Sequence, residues 1–311
     1  MGKIRIHNPG LLSTIQDMGR VGYQKFGMPV SGAMDIYSLQ LANSLVGNAP
    51  DEACIEATLM GPEIEFLNDT EIGIAGALTD IYINDKQVEA SRNHQVKQGD
   101  VLKFGTVKQG CRFYMALAGG IDVPFVMGSK STYLRGKLGG YCGRALQQGD
   151  EIETRSKRDF RQRQINPDSP ILPKETNKIR VIAAIESRSF TFNGIEKFLS
   201  EEYTVSNQSD RMGYRLNGPR IEHHEGADIL SAGIANGTIQ VPAHGEPIIM
   251  LADRQTVGGY TKIANVISTD LPLLGQLKAG DKIRFVEVRL DEAHRLMREQ
   301  KKNLERAVKV I

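Results

Sequence analysis

Residues 97–104 (KQGDVLKF) and residues 278–285 (KAGDKIRF) are two versions of one pattern, a Gly-Asp turn followed by an alternating strand. Two further segment pairs occur in the same order at a similar separation. They pair residues 16–23 with residues 208–214, and residues 64–74 with residues 239–249. Because the order and the approximate spacing are both kept, we expect an internal duplication that gives two similar lobes. Residues 16–23 and 208–214 share an Arg-x-Gly-Tyr core, so Tyr23 and Tyr214 should occupy equivalent places.

Short alternating or apolar runs recur between Gly, Asn and Asp turns, as in residues 71–77 and 282–288. Such spacing is typical of barrels or sandwiches rather than of alternating strands and helices. One helix is predicted for residues 35–46, where Asp35 is a suitable N-cap, and another begins near Asp291. The predicted fold class is therefore mainly β with a few helices.

Proline and charge patterns divide the chain into four parts. Pro167, Pro170 and Pro173 lie among alternating charges in residues 156–178, which we interpret as a linker. The remaining parts are an N-terminal lobe at residues 1–155, a C-terminal lobe at residues 179–290 and a basic C-terminal helix at residues 291–311.

The composition excludes several classes of protein. With 39 basic and 37 acidic residues, the net charge of +2 is too small for the strongly basic face that nucleic-acid binding requires. No apolar run approaches the roughly 18 residues of a membrane span, and no secretory signal opens the sequence, so we expect a cytoplasmic protein. Cys54, Cys111 and Cys142 lack metal-binding spacing and favour core positions over a disulfide framework.

Residues 253–262 (DRQTVGGYTK) follow the apolar run 247–252, so a buried strand should lead into a polar turn. Gly258 and Gly259 would let backbone N–H groups approach a ligand closely. The polar candidates are Asp253 as a base, Arg254 and Lys262 as binders of phosphate or carboxylate, and Gln255, Thr256 and Tyr260 as partners of an amide edge. The alternative is structural, with Asp253 capping a turn and the basic residues in surface salt bridges.

Other candidates lie outside this segment. Arg211 and Tyr214 are expected beside it, with Arg211 as a further anion binder. The loop at residues 129–136, which contains Arg135, is either an anion cradle of backbone amides or a loop without a ligand. Asp17 and Arg20 are interpreted first as an ion pair that braces the N-terminal lobe. No metal site is predicted, because the adjacent acidic and histidine residues 222–225 would point to opposite faces of a strand.

Five motifs together carry a family resemblance. They are residues 8–20 (NPGLLSTIQDMGR), 31–35 (SGAMD), 118–124 (AGGIDVP), 209–216 (SDRMGYRL) and 253–262. In this order they resemble the family that contains the C subunit of 5-oxoprolinase, the Kip antagonist and the carboxyltransferase A and B subdomains of urea carboxylase, also called allophanate hydrolase subunit 2. The resemblance covers nearly all of residues 3–289.

This resemblance implies two cyclophilin-like β-barrel lobes and work in a heteromeric complex. The implied partners are a companion protein with C and D subdomains, of the type found in the 5-oxoprolinase B subunit or the Kip inhibitor, and the 5-oxoprolinase A subunit. The implied substrate is a small amide such as 5-oxoproline or urea. ATP with Mg²⁺, bound with or by the partner, could activate the amide oxygen by phosphorylation.

Two missing motifs narrow the choice within the family. No Met in the chain is followed by Lys, so covalent biotin is not expected here, and no Gly-Lys-Ser/Thr of a P-loop is present. We therefore predict one component of an ATP-dependent 5-oxoprolinase that hydrolyses a cyclic amide. A regulatory binding protein of the Kip antagonist type and a carboxyltransferase component acting on urea or another small amide stay open as alternatives.

Overall fold

The computed structural model describes residues 2–155 and 160–311, and these residues form a mainly β fold, as the sequence predicts. Residues 156–159 of the predicted linker lie outside this description. The strands in chain order are β1 Gly2–Asn8, β2 Leu12–Gln16, β3 Cys54–Thr58, β4 Glu63–Phe66, β5 Thr70–Leu78, β6 Ile81–Ile83, β7 Lys86–Val88, β8 His94–Val96, β9 Val101–Phe104, β10 Gln109–Leu117, β11 Glu151–Thr154, β12 Arg163–Ile165, β13 Thr176–Ala183, β14 Tyr203–Val205, β15 Gly213–Asn217, β16 Asp228–Gly233, β17 Thr238–Gln240, β18 Ile248–Met250, β19 Val257–Tyr260, β20 Lys262–Val266, β21 Lys282–Glu287 and β22 Val308–Val310. The helices are α1 Ile36–Leu45, α2 Phe192–Ser200, α3 Leu271–Gly275 and α4 Leu290–Arg306. None of the helices in the described ranges is long and apolar enough to cross a membrane.

The chain divides into two compact units. Unit 1 comprises Met1–Val21, Ser31–Leu172 and Lys301–Ile311, and unit 2 comprises Gly22–Val30 and Pro173–Gln300. Within the predicted linker, β12 forms a strand that pairs with β22 of the same unit. Part of that linker is therefore ordered structure, and the predicted C-terminal helix ends at Arg306, before β22.

Unit 1 contains a six-stranded sheet in the order β11-β1-β4-β9-β6-β7 and a five-stranded sheet in the order β2-β3-β10-β5-β8. Strands β5 and β10 are buried along most of their length. Some of their side chains form one core with α1, and others form a second core that is rich in isoleucine. Helix α1 begins where predicted: the Asp35 carboxylate accepts a hydrogen bond from the Ser38 backbone N–H at 2.9 Å.

Unit 2 is built on a closed seven-stranded barrel in the order β13-β20-β17-β18-β15-β14-β21. Strand β21 alternates exposed and buried positions, and its buried residues Ile283 and Phe285 belong to the core. Phe198 of α2 stacks on Phe285 with ring centroids 4.4 Å apart. Strands β16 and β19 form a separate two-stranded ribbon, and the strand pairings described for β19 are with β16 alone.

The Gly-Asp turn of the predicted repeat has the same hydrogen bonds in both units. The carboxylates of Asp100 and Asp281 accept from the backbone N–H three residues earlier, at 2.8 and 2.9 Å, and Gly99 and Gly280 have φ of +87° and +91°. Asp150 in unit 1 makes the same turn, at 2.8 Å. The turn is therefore common to both units. Because it occurs twice in unit 1 and once in unit 2, it does not by itself demonstrate a duplication into two lobes.

The expectation that Tyr23 and Tyr214 occupy equivalent places is wrong. Tyr23 precedes a short 3-10 turn, where Gly22 with φ of +98° redirects the chain. Tyr214 lies inside β15, is 3% exposed and donates its hydroxyl hydrogen to Leu277 O at 3.0 Å. The Arg-x-Gly-Tyr motif therefore takes two different backbone conformations.

Candidate functional site

Residues 253–262 lie where the barrel of unit 2 joins the β16–β19 ribbon. Strand β18 ends at Met250, β19 holds the two adjacent glycines, and β20 begins at Lys262. The predicted passage from a buried strand to a polar turn is confirmed for residues 251–256. The segment 253–262 contains four buried polar residues, namely Asp253, Arg254, Thr261 and Lys262.

Gly258 and Gly259 lie within β19 rather than in a flexible hinge. A Cβ atom at Gly258 would lie 2.6 Å from Ile234 Cδ1 and 2.8 Å from Gln240 Nε2, closer than real contacts allow. The absence of a side chain at this position lets Ile234 and Gln240 pack against the strand. The structure explains Gly258 by packing, and the role in ligand binding proposed for both glycines stays a prediction.

Arg211 and Asp253 form a buried ion pair. Their side chains are 7% and 6% exposed, and Arg211 Nε donates to Asp253 Oδ2 at 3.0 Å. The backbone N–H of Asp253 also donates to Arg211 O at 2.9 Å. A carboxylate held in this way is an anchor for the turn, so the geometry favours the structural alternative over the predicted general base.

Lys262 is likewise buried with an acidic partner. Its side chain is 7% exposed, and Nζ lies 3.2 Å from Oε1 of Glu186, which is 28% exposed. Glu186 belongs to a 3-10 turn, Ile185–Ser189, far from the motif in sequence. No local signal in the sequence identified this partner.

Arg254 differs from both of these basic residues. It is 6% exposed, and its guanidinium donates only to backbone carbonyls, from Nε to Ile234 O at 3.0 Å and from Nη1 to Leu251 O at 3.2 Å. No carboxylate within the described ranges comes within ion-pair distance of it. Burial lowers the pKa of Arg254 from its ordinary value to about 10. An uncompensated buried cation is the feature of this segment that most favours an anionic ligand.

The other predicted contacts lie at the surface or in the core. Gln255 is exposed, Thr256 is half-buried and Tyr260 is 41% exposed, so these three side chains can reach a ligand from solvent. Tyr214 is a core residue whose hydroxyl is already used by Leu277 O. Three accessible polar side chains therefore follow Arg254 within six residues of sequence, whereas Tyr214 has a structural role.

The predicted anion cradle of unit 1 holds the protein's own carboxylate. Asp17 accepts from Lys130 N at 2.6 Å, from Ser129 Oγ at 2.6 Å, from Gly19 N at 2.8 Å and from Ser131 Oγ. The N–H groups of Ser129, Ser131 and Thr132 also donate within the protein. Of the two interpretations of this loop, the contacts of residues 129–131 favour a loop without an external ligand, because Asp17 already accepts from them.

Arg20 completes this network. It is fully buried, and its Nη2 donates to Ser131 O. Asp17 and Arg20 thus tie residues 16–20 to residues 129–132, which supports the predicted bracing role. The ion pair predicted between the two residues stays a prediction. Arg135 is exposed on the turn that follows, in unit 1, and its binding role stays a prediction.

The fit of these residues to ATP and Mg²⁺ is poor. Within the described ranges, no group of three or more His, Cys, Asp or Glu residues could hold a metal ion. The backbone N–H groups of residues 129–133 already donate within the protein, so this part of the loop does not fit a triphosphate.

Comparison with known proteins identifies the family. Residues 26–287 match the family described as carboxyltransferase domain, subdomain A and B. The chain is 38% identical to the 5-oxoprolinase C subunit of Haemophilus influenzae over 299 residues, 96% of both chains. It is 36% identical to the 5-oxoprolinase C subunit of Escherichia coli over 306 residues, 97% of this chain and 96% of that one.

A solved structure supports the same assignment. The Kluyveromyces lactis urea carboxylase superimposes with a TM-score of 0.92 at 34% identity, over 98% of this chain and 29% of that chain. The present chain thus matches less than a third of that longer protein. Because the family match spans most of the sequence and the relatives agree with it, the chain belongs to the family of carboxyltransferase domains built from subdomains A and B.

Proposed function

We propose that the chain is one subunit of an ATP-dependent 5-oxoprolinase that converts 5-oxo-L-proline to L-glutamate together with partner subunits. The observation that carries this proposal is the mutual coverage with the 5-oxoprolinase C subunit, 96% of both chains at 38% identity. A match over nearly the whole of both chains favours the same type of subunit over a piece of a larger enzyme.

The buried Arg254 supports an anionic substrate. At neutral pH, 5-oxoproline carries a carboxylate, and a planar guanidinium matches that group with two parallel donors. The accessible groups of Gln255, Thr256 and Tyr260 would bind the edges of the lactam amide. Lys262 would donate to an oxygen that gains negative charge during the reaction.

The nucleotide would be held by the partners. ATP would supply activation, because phosphorylating the amide oxygen turns a resonance-stabilised amide into one that water can attack. The backbone N–H groups of residues 129–133 already donate within the protein, which supports placing the triphosphate and Mg²⁺ on a partner of the A type or of the C and D subdomain type. This chain would contribute substrate binding in the cytoplasm.

A carboxyltransferase component acting on urea or another small amide is the second candidate. The TM-score of 0.92 with urea carboxylase supports it. Urea lacks a carboxylate, however, so it offers no partner for the uncompensated charge of Arg254. That difference makes 5-oxoproline the preferred substrate.

Reconstitution tests the proposal. The purified chain is mixed with candidate partners of the A and B types encoded by the same genome, and glutamate formation from 5-oxoproline is measured with and without ATP. We expect turnover only with all three proteins and ATP, and none from this chain alone. Turnover by the isolated chain would contradict its assignment as one of several subunits, and carboxylation of urea by the mixture without 5-oxoproline hydrolysis would favour the second candidate.

A further inference from the structure

Two buried lysines of this protein have different surroundings. Lys130 in unit 1 is 3% exposed, and its Nζ donates to Glu52 Oε1 at 2.8 Å and to Ile121 O at 2.6 Å, with the Phe125 ring centroid 5.2 Å away. Lys262 in unit 2 is 7% exposed, and the one described acceptor of its Nζ is Glu186 Oε1. Among the described residues, the first ammonium has two acceptors and an aromatic face, whereas the second has a single acceptor.

From this contrast we propose that Glu186 is a positioning residue that holds the Lys262 ammonium for an oxygen of the substrate. The proposal rests on the proposed function. An ammonium group has three N–H donors, and Glu186 accepts one of them. Because a buried donor without an acceptor is costly, the remaining donors of Lys262 are suited to an incoming oxygen.

The position of Glu186 is fixed by the barrel. The backbone N–H of Ala184 donates to Ile263 O of β20 at 3.0 Å, next to Lys262, and Ser187 N donates to Ala184 O at 3.1 Å. At the other end of the turn, His224 N donates to Ser189 O at 2.9 Å. The 3-10 turn is therefore attached at both ends, so its carboxylate can restrain the lysine side chain.

The location of Lys262 connects this pair to the candidate site. Lys262 pairs with Gln240 across β17 and β20, and Gln240 Nε2 donates to Tyr260 O at 3.3 Å. The same Gln240 side chain lies against Gly258. Lys262 is thus paired in the sheet with the residue whose side chain packs on β19, and an amide oxygen that gains negative charge there would need a fixed cation.

Three variants in the reconstituted complex test the role. Glu186→Gln should lower kcat by about 10- to 100-fold, the scale of a misplaced catalytic group, while KM changes by less than about two-fold. Lys262→Met should lower kcat at least as much. Adding Glu186→Gln to Lys262→Met should then lower kcat no further than about two-fold, because Glu186 acts through the lysine.

A matched control is available on the surface of the same unit. Glu222→Gln removes the ion pair with Lys197, 3.1 Å long with side chains 50% and 35% exposed, and should leave kcat unchanged. Glu186→Asp retains the charge and should retain more activity than Glu186→Gln, which gives a second test should the amide variant fold poorly.

The outcomes separate this inference from the proposed function. Wild-type turnover with an unaffected Glu186→Gln variant overturns the inference alone. Independent, additive losses in the double variant do the same, since they mean that Glu186 stabilises the fold without acting through Lys262. A wild-type complex that forms no glutamate overturns the proposed function and this inference with it.

Discussion

Both units bury an aspartate near an arginine, but the charges are compensated differently. In unit 1, Asp17 accepts from two backbone N–H groups and two serine hydroxyls, and Arg20 donates to Ser131 O. In unit 2, Arg211 compensates Asp253, while the next residue, Arg254, has backbone carbonyls alone as described acceptors. Asp17 is thus an anion surrounded by four donors, whereas Arg254 is a cation with no carboxylate beside it among the described residues.

This difference separates structural charge from charge available to a ligand. A buried carboxylate with four donors holds two loops together and has little left to offer a substrate. A buried guanidinium with no carboxylate keeps a desolvation cost that an anionic ligand would offset. The buried charge of Asp17 therefore stabilises the fold, whereas that of Arg254 is suited to binding a ligand.

The largest expected effect is on the stability of unit 1. Asp17→Ala leaves four donors without their acceptor and should lower the free energy of unfolding by about 3 to 5 kcal/mol. The matching segment of unit 2 also has an aspartate, Asp210, which is exposed and accepts from Met212 N at 2.8 Å, so Asp210→Ala should cost about 1 kcal/mol or less. Urea denaturation of both variants measures the difference, and equal losses would break the comparison.

The second effect is on turnover. Arg254→Met keeps most of the side-chain volume and removes the charge, so it should lower turnover of the reconstituted complex by about 100-fold. Stability should be unchanged or higher, because an uncompensated buried cation is removed. The measurements are kcat/KM for 5-oxoproline and the melting temperature of the purified chain.

An exposed arginine of the same unit provides the control for this variant. Arg215→Met should change neither turnover nor melting temperature. If Arg254→Met instead lowers the melting temperature while turnover per folded complex stays at the wild-type level, Arg254 is a brace like Arg20 and the proposed site is withdrawn.

The smallest effect is pH-dependent. His223 Nε2 lies 3.1 Å from Val241 O and 3.0 Å from Thr261 Oγ1, its ring packs on Phe190, and burial lowers its pKa below 6.5. Below pH 6.5 the unfolded chain takes up a proton that the folded chain resists, so stability should fall as the pH falls through this range.

His223→Gln removes this contribution and should make the melting temperature less sensitive to pH between about 5 and 7. His94 in unit 1, whose pKa burial also lowers, continues to contribute in the variant. A pH profile of melting temperature identical to that of the wild type would show that His223 titrates as a solvated side chain.

Local features of the fold were predictable because their causes lie within a few residues. The Asp35 cap acts on Ser38, three residues away, and the Gly-Asp turns close over four residues, so both could be identified from the sequence. The Arg-x-Gly-Tyr motif misled, because the same residues form a turn in one place and a strand in the other. Contacts with the rest of each unit decided between these conformations.

The candidate site was predictable only in part. Residue types in 253–262 indicated anion binding, but three basic residues, Arg211, Arg254 and Lys262, looked equivalent. Their partners come from distant segments: Asp253 lies 42 positions from Arg211, and Glu186 lies 76 positions from Lys262. In unit 1, Ser129 lies 112 positions from Asp17. The spacing of residues along the sequence does not predict which residues form such distant pairs.

The sequence by itself determined the β content, the first helix, the turn chemistry and the family, since these depend on short-range backbone preferences and on motifs in order. Only the tertiary structure decided which buried charges are compensated. Electrostatic interaction depends on distance in space and on burial, both of which are set when remote segments pack. That packing leaves Arg254 with backbone carbonyls as its acceptors among the residues that the structure describes, and it surrounds Asp17 with donors from residues 129–131.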